Sequence, residues 1–225
     1  MSAKMIERFS EAQIGAHTLC ALSIMILYIT GISLIFPKEL GWIPGLIGLS
    51  EMMYIHRVAG IALIASALYY TIYFALYLAF IDFSPLKNVL PGLHDGKAAV
   101  NDILYSFHIG KQPEGYRKYN WLEKVDIFSV AIFDALIMGV TGIVIWIPWF
   151  FTSILPKSII LSLKFVHGSF AILSLAGILL HFYVVHLTPA RFPVDKTMFT
   201  GYMDAHEVQH EYTQWYDEVM EGDSK

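Results

Sequence analysis

Residues 159–187, IILSLKFVHGSFAILSLAGILLHFYVVHL, decide how this chain folds. The stretch is apolar and long enough to cross a bilayer as one helix. It carries two histidines, His167 and His181, fourteen residues apart. At 3.6 residues per turn that spacing is almost four full turns, so both imidazoles lie within about 40° of one face. They are about 21 Å apart along the axis, one near each side of the hydrocarbon core. Between them the same stripe passes through Ala171, Ser174, Gly177 and Ile178, mostly small residues that let something flat lie close to the backbone. Histidine inside a membrane is costly and is usually functional.

The rest of the chain is of the same kind. Of its 225 residues, 56% are apolar and only 15% are charged, a composition of multi-span membrane proteins. Four stretches qualify as spans, roughly 15–36, 55–80, 125–147 and 159–187. The expected fold is all-α, a four-helix transmembrane bundle forming a single domain over 1–225, with a long loop at 82–124 and a polar tail at 189–225. No cleavable signal is apparent, because the first span lacks a small-residue cleavage site and is too long for a signal core. The net charge of −4 comes without a basic run, so nothing points to nucleic acid. Cys20 is the single cysteine. It cannot form an intrachain disulfide, and one thiolate cannot hold an iron–sulfur cluster, which normally takes four.

Four spans put both termini on one side of the membrane. Eleven Lys and Arg residues fall on that side, against Lys38, Arg57, Lys157 and Lys164 on the other, which makes the termini cytoplasmic. Trp42, Trp121, Trp146 and Trp149 stand at span ends, as interface aromatics do. Residues 1–14 read as a short polar lead of helical character, and the segment around Pro44 as a cap that folds back. In the long loop Val100, Ile103, Leu104 and Phe107 recur at helical spacing, with Asn101, Asp102 and Ser106 opposite, which predicts an interfacial amphipathic helix. His94 and His108 in the same loop read as solvated. The HEVQHEYTQWYDEV segment, 206–219, predicts a helix lying on the cytoplasmic face. The third span carries Asp134 about 13 Å deep. It either hydrogen-bonds a neighbouring helix or serves a proton path. No internal repeat or low-complexity segment is evident.

Depth sorts the remaining histidines. His17 enters from the cytoplasmic side and His181 lies at the same end of the last span. His56 and His167 both begin spans that start on the opposite side. Two pairs result, each drawing one imidazole from each of two helices at matching depth, which is what bis-histidine haem ligation in a bundle needs. Iron with both axial positions filled by nitrogen has no open site for oxygen or substrate, so such a haem moves electrons. His186 lies five residues past His181, roughly 140° around the helix, and points elsewhere. A metal-ion transporter would place His with Asp or Glu one turn apart near midplane, and no HxxxH or HxxxD pattern lies inside a span. A non-haem membrane anchor with structural histidines is the other alternative.

Several motifs carry a family likeness over nearly the whole chain. They are AHTLCALSIMILYITGISLIFP around His17, YIHRVAG around His56, RKYNWLEK before the third span and TGIVIWIPWF at its end. VHGSFAILSLAGILLHFY and the closing FTGYMDA and WYDEV complete them. Together they resemble the cytochrome b (gamma) subunit of membrane-bound formate dehydrogenase. More distantly they resemble the cytochrome b subunits of nickel–iron hydrogenases and of thiosulfate or polysulfide reductases.

The resemblance implies two b haems, the one nearer the periplasm held by His56 and His167 and the one nearer the cytoplasm by His17 and His181. It implies menaquinone beside the cytoplasmic haem, next to His181 and Asn120, and an inner-membrane location. It also implies an iron–sulfur subunit and a catalytic subunit as partners, in a complex open to higher oligomerisation. The chain itself carries nothing like a site for formate, hydrogen or sulfur chemistry. It reads as an electron-transfer and quinone-reactive subunit whose partners hold the primary substrate site. Three positions depart from the family pattern. Leu122 stands where a Gly is usual, EYTQWY with a displaced His210 replaces adjacent histidines before Pro-x-Trp-Tyr, and Asp134 replaces an apolar residue.

Overall fold

A computed structural model describes residues 4–223 except 110, 114 and 190. The ends of the polar lead and of the tail, 1–3 and 224–225, lie outside the described residues. The order is β1 (Met5–Glu7), α1 (Glu11–Ile35), α2 (Leu49–Phe80), α3 (Leu93–Ser106), α4 (Trp121–Trp146), α5 (Lys157–Leu187), β2 (Tyr202–Asp204), α6 (Ala205–Glu211) and α7 (Thr213–Asp223). Helices α1, α2, α4 and α5 are each long and apolar enough to cross a membrane. They are the four expected spans.

The spans differ from expectation at their ends and in their winding. α2 begins at Leu49, because the chain turns at Gly48 with φ of 91° and the Gly48 carbonyl then accepts the first helical bond, from Met52. His56 therefore lies two turns inside the helix rather than opening it. α4 is α-helical over Trp121–Ser129 and again over Gly139–Trp146, but π-helical over Val130–Met138. α5 also loosens into π-helix at Tyr183–Leu187. Apolar periodicity alone does not reveal such turns, which occur often at functional sites.

The chain divides into two compact units. One comprises Gly15–Thr71 and Phe128–Asp195. Its buried residues are mostly small or hydroxylated: Ala16, Ser23, Thr30, Ser33, Ala59, Ser66 and Thr141, with Ile24, Met52, Leu63, Asp134 and Val144. Leu22, Ile29, Leu136, Leu161, Phe165 and Leu173 are exposed instead. This inversion suits helices that pack by close approach while lipid solvates their large side chains. Hydroxyls tie α1 to α2, Ser33 Oγ reaching Met52 Sδ at 3.2 Å and Ser66 Oγ donating to the Ala16 carbonyl at 2.8 Å.

The other unit comprises Met1–Ile14, Ile72–Ile127 and Lys196–Lys225. Here the polar lead corrects expectation. It forms a strand, β1, paired antiparallel with β2 in the register Met5↔Asp204, Ile6↔Met203, Glu7↔Tyr202. The period-two alternation sends Ile6 and Met203 inward while Met5 and Glu7 stay exposed. The tail is also not one helix lying on a surface: it breaks at Tyr212, and Val208, Tyr212 and Trp215 pack with Ile6 and Met203 into a small core. Arg8, 3% exposed, clasps this core to the start of α4. Its Nη2 donates to the Glu123 carboxylate at 2.9 Å and to the Lys118 carbonyl at 2.7 Å, and its guanidinium lies 4.1 Å from the Tyr212 ring centre. Burial opposes the charge of Arg8, but Glu123, Tyr212 and Tyr119 together outweigh it and hold the guanidinium protonated. α3 is the expected amphipathic helix, with Val100, Ile103 and Leu104 exposed, and His94 and His108 are solvent-facing as anticipated.

Candidate cofactor site

The four intramembrane histidines meet in the two expected pairs. The His17 and His181 rings are 6.5 Å apart between centres, and so are those of His56 and His167. Two imidazoles bound head-on to one metal ion, with metal–nitrogen bonds of about 2.0–2.1 Å, have ring centres roughly 6.4 Å apart. Both pairs therefore have the separation of two axial ligands on a single ion. A direct imidazole–imidazole hydrogen bond does not account for two equal spacings, one between α1 and α5 and one between α2 and α5.

The surroundings of one pair are built from a repeated device. Thr30 Oγ1 lies 2.8 Å from His56 Nδ1, and Thr141 Oγ1 lies 2.8 Å from His167 Nδ1. Each threonine precedes its histidine by 26 residues. Next to each stands a glycine against the ring: a Cβ on Gly31 would meet His56 Cε1 at 3.2 Å, and one on Gly142 would meet His167 Cε1 at 3.3 Å. The sequence carries this as Thr-Gly-Ile followed by a proline, Thr30 to Pro37 and Thr141 to Pro148. The expectation of no internal repeat is thus corrected. The repeated motif is three residues and a distant proline, too sparse to be seen until both copies face a histidine.

The residues present fit a haem. Arg57, beside His56, has its Nε buried without a hydrogen-bond partner among the described residues, a position suited to a propionate carboxylate. None of the described residues of α5 is buried by protein alone, although the helix carries two of the four histidines. A large flat apolar group at this face accounts for both features.

The sequence pattern of prokaryotic cytochrome b561 matches residues 8–201. The chain belongs to that family. A cytochrome b561 is a membrane cytochrome that carries haem b, and this one is related to cytochrome b subunits of formate dehydrogenase. It is 23% identical over 231 residues to the cytochrome b556(Fdn) subunit of the nitrate-inducible formate dehydrogenase of Escherichia coli K12, covering 99% of this chain and 95% of that protein. The corresponding subunits of Escherichia coli O157:H7 and Shigella flexneri match to the same extent.

In this cytochrome b561 the other candidate residues fall as follows. Asp134 is buried, and Ser174 donates to its Oδ1 at 2.5 Å. Since the Ser174 hydrogen is used there, the Tyr28 hydroxyl, 2.6 Å away, donates to Ser174. A Tyr28–Ser174–Asp134 chain thus joins α1, α5 and α4, with Ser174 seven residues from each histidine of α5. Thr141 is buried like Asp134. His186 accepts from the Asp195 amide at 3.3 Å. Asn120 stands at the head of α4 as its N-cap. Sequence reasoning missed Thr30, Gly31, Gly142 and Arg57. The recurrence of Thr-Gly at one fixed distance before a histidine was the signal for the first three.

Proposed function

We propose that this cytochrome b561 is the di-haem membrane subunit of a periplasmic oxidoreductase, most closely of the formate dehydrogenase type. It would pass electrons between an iron–sulfur subunit and menaquinone at the cytoplasmic side. The observation that carries the di-haem assignment is the equal 6.5 Å spacing of two separate histidine pairs. His56 and His167 would ligate one haem, and His17 and His181 the other. When bound, each haem supplies reversible one-electron transfer without an open coordination site.

The protein's part is to hold the imidazoles at fixed separation, to keep water out, and to leave a quinone-facing residue at the cytoplasmic end. His181 and Asn120 are assigned to quinone on the family resemblance and on their positions near the cytoplasmic ends of their spans. The likeness to formate dehydrogenase subunits supports an iron–sulfur and a catalytic partner, and we place the chain in the inner membrane with both termini cytoplasmic. The lysine and arginine distribution supports the same orientation.

Haem content of the chain purified with its partners tests the assignment. Wild type is expected to hold two b haems. His56→Ala or His167→Ala should hold one, and His17→Ala or His181→Ala the other. One haem in fully loaded wild type ends the di-haem assignment.

A further inference from the structure

We infer that Thr30 and Thr141 are positioning residues that fix the tautomer of His56 and His167 and thereby set the reduction equilibrium of one haem only. The inference rests on the di-haem assignment above. It follows from hydrogen-bond accounting. Each threonine hydroxyl has one hydrogen to give. Thr30 Oγ1 lies 2.7 Å from the Ile26 carbonyl, and Thr141 Oγ1 lies 2.7 Å from the Ile137 carbonyl. A carbonyl only accepts, so both hydroxyl hydrogens go to the helix backbone four residues back.

Towards the imidazole, each Oγ1 is then left with lone pairs alone. The ring nitrogen 2.8 Å away must donate, so the proton sits on Nδ1 of both His56 and His167. That leaves Nε2 of each ring with the lone pair a metal requires. The opposite assignment, with threonine donating to Nδ1, would leave two backbone contacts unused and put the proton on the ligating nitrogen. Both threonines are only 4% exposed, so no water competes for these bonds. The glycines beside them bring the helix backbone close enough for the contact.

A hydrogen bond from the remote N–H orients a ligating imidazole and makes it a more basic ligand. A more basic ligand favours the oxidised ion. Because Thr30 and Thr141 contact His56 and His167 and lie on neither side chain of the other pair, their effect belongs to one haem. The repeated motif therefore distinguishes two centres that their ligand sets alone would make alike.

Redox titration of the two haems in the purified complex, with electron paramagnetic resonance of the ferric state, tests this. Thr30→Val and Thr141→Val are expected to retain two haems. Each should raise the reduction equilibrium constant of a single haem severalfold, where tenfold corresponds to 59 mV for one electron. Its g-values should move, and it should be the haem that His56→Ala removes. Thr30→Ser and Thr141→Ser keep the hydroxyl and should resemble wild type. Loss of that one haem in a valine variant, with the other unchanged, supports the same conclusion. Unchanged potentials and g-values in loaded valine variants overturn the inference. So does equal movement or loss of both haems, or a serine variant that behaves like valine. A wild type with fewer than two haems overturns the di-haem assignment and this inference with it, whereas the preceding outcomes overturn the inference alone.

Discussion

Asn120 and Glu123 cap one another: Asn120 Oδ1 accepts from the Glu123 amide, and a Glu123 carboxylate oxygen accepts from the Asn120 amide, both at 2.9 Å. This reciprocal cap satisfies two donors at the start of α4 that the helix itself cannot. It uses only the oxygen of the Asn120 side chain. A quinone carbonyl would need the NH2 group, so the two roles are separable. Asn120→Asp keeps the cap, with stability expected within about 1 kcal/mol of wild type, but removes the donor. Its turnover with menaquinone analogues should fall while both haems stay loaded. Wild-type turnover would leave Asn120 a cap and nothing more.

Gly31 and Gly142 are expected to be intolerant of a methyl group. An alanine Cβ would stand 3.2 Å from His56 Cε1 or 3.3 Å from His167 Cε1, closer than ordinary contact. The ring must give way, and overpacking of this kind costs about 1–3 kcal/mol. Gly31→Ala and Gly142→Ala should each lower occupancy of the haem assigned to His56 and His167, measured as haem per chain. Gly96→Ala, where a Cβ meets nothing within 4 Å, is the control and should keep both.

The Asp134 carboxyl is expected to act as an interhelical acceptor. Asp134→Asn retains an oxygen for Ser174 and should match wild type in melting temperature and in quinone reduction. Asp134→Leu leaves the Ser174 and Tyr28 hydroxyls without their terminal acceptor, at a cost of about 1–3 kcal/mol. Slow quinone reduction in the asparagine variant, at full haem content, would instead assign the carboxyl to proton transfer.

Acid should loosen the junction between α3 and α4 through Asp95. Burial pushes this carboxyl up, but the Lys124 ammonium at 2.8 Å and the Gly92 amide more than offset it, leaving it below the usual carboxylate range. The folded protein thus binds this proton less tightly than the unfolded chain. The stabilisation is whole above about pH 4 and is lost as pH falls through the lower, folded value. Thermal melting from pH 6 to pH 3 should fall more steeply for wild type than for Asp95→Asn. Parallel curves would rule Asp95 out as the cause.

The spans and the histidine pairs were legible because a histidine is an anomaly on an apolar helix, and the fixed rise per residue turns its position into depth. Thr30 was not legible, since a lone threonine in a span is ordinary. Its meaning lies in a backbone carbonyl one turn away and a ring on the next helix. The π-helical turns around Asp134 leave no trace in apolar periodicity. β1 and β2 were missed for a different reason: strands of three residues show too little alternation to be read, and their partners are nearly a chain length apart.

That separation has a consequence for assembly in the cell. Met5 cannot meet Asp204 until about 200 further residues have been synthesised. At 5–20 residues per second the two strands emerge about 10–40 s apart. Throughout that interval Ile6 lacks Met203, and Arg8 lacks both Glu123 and Tyr212 for most of it. The spans are therefore made and delivered to the bilayer before the clasp between the first and last segments can close, and closure of that clasp marks a chain whose every span has already been translated.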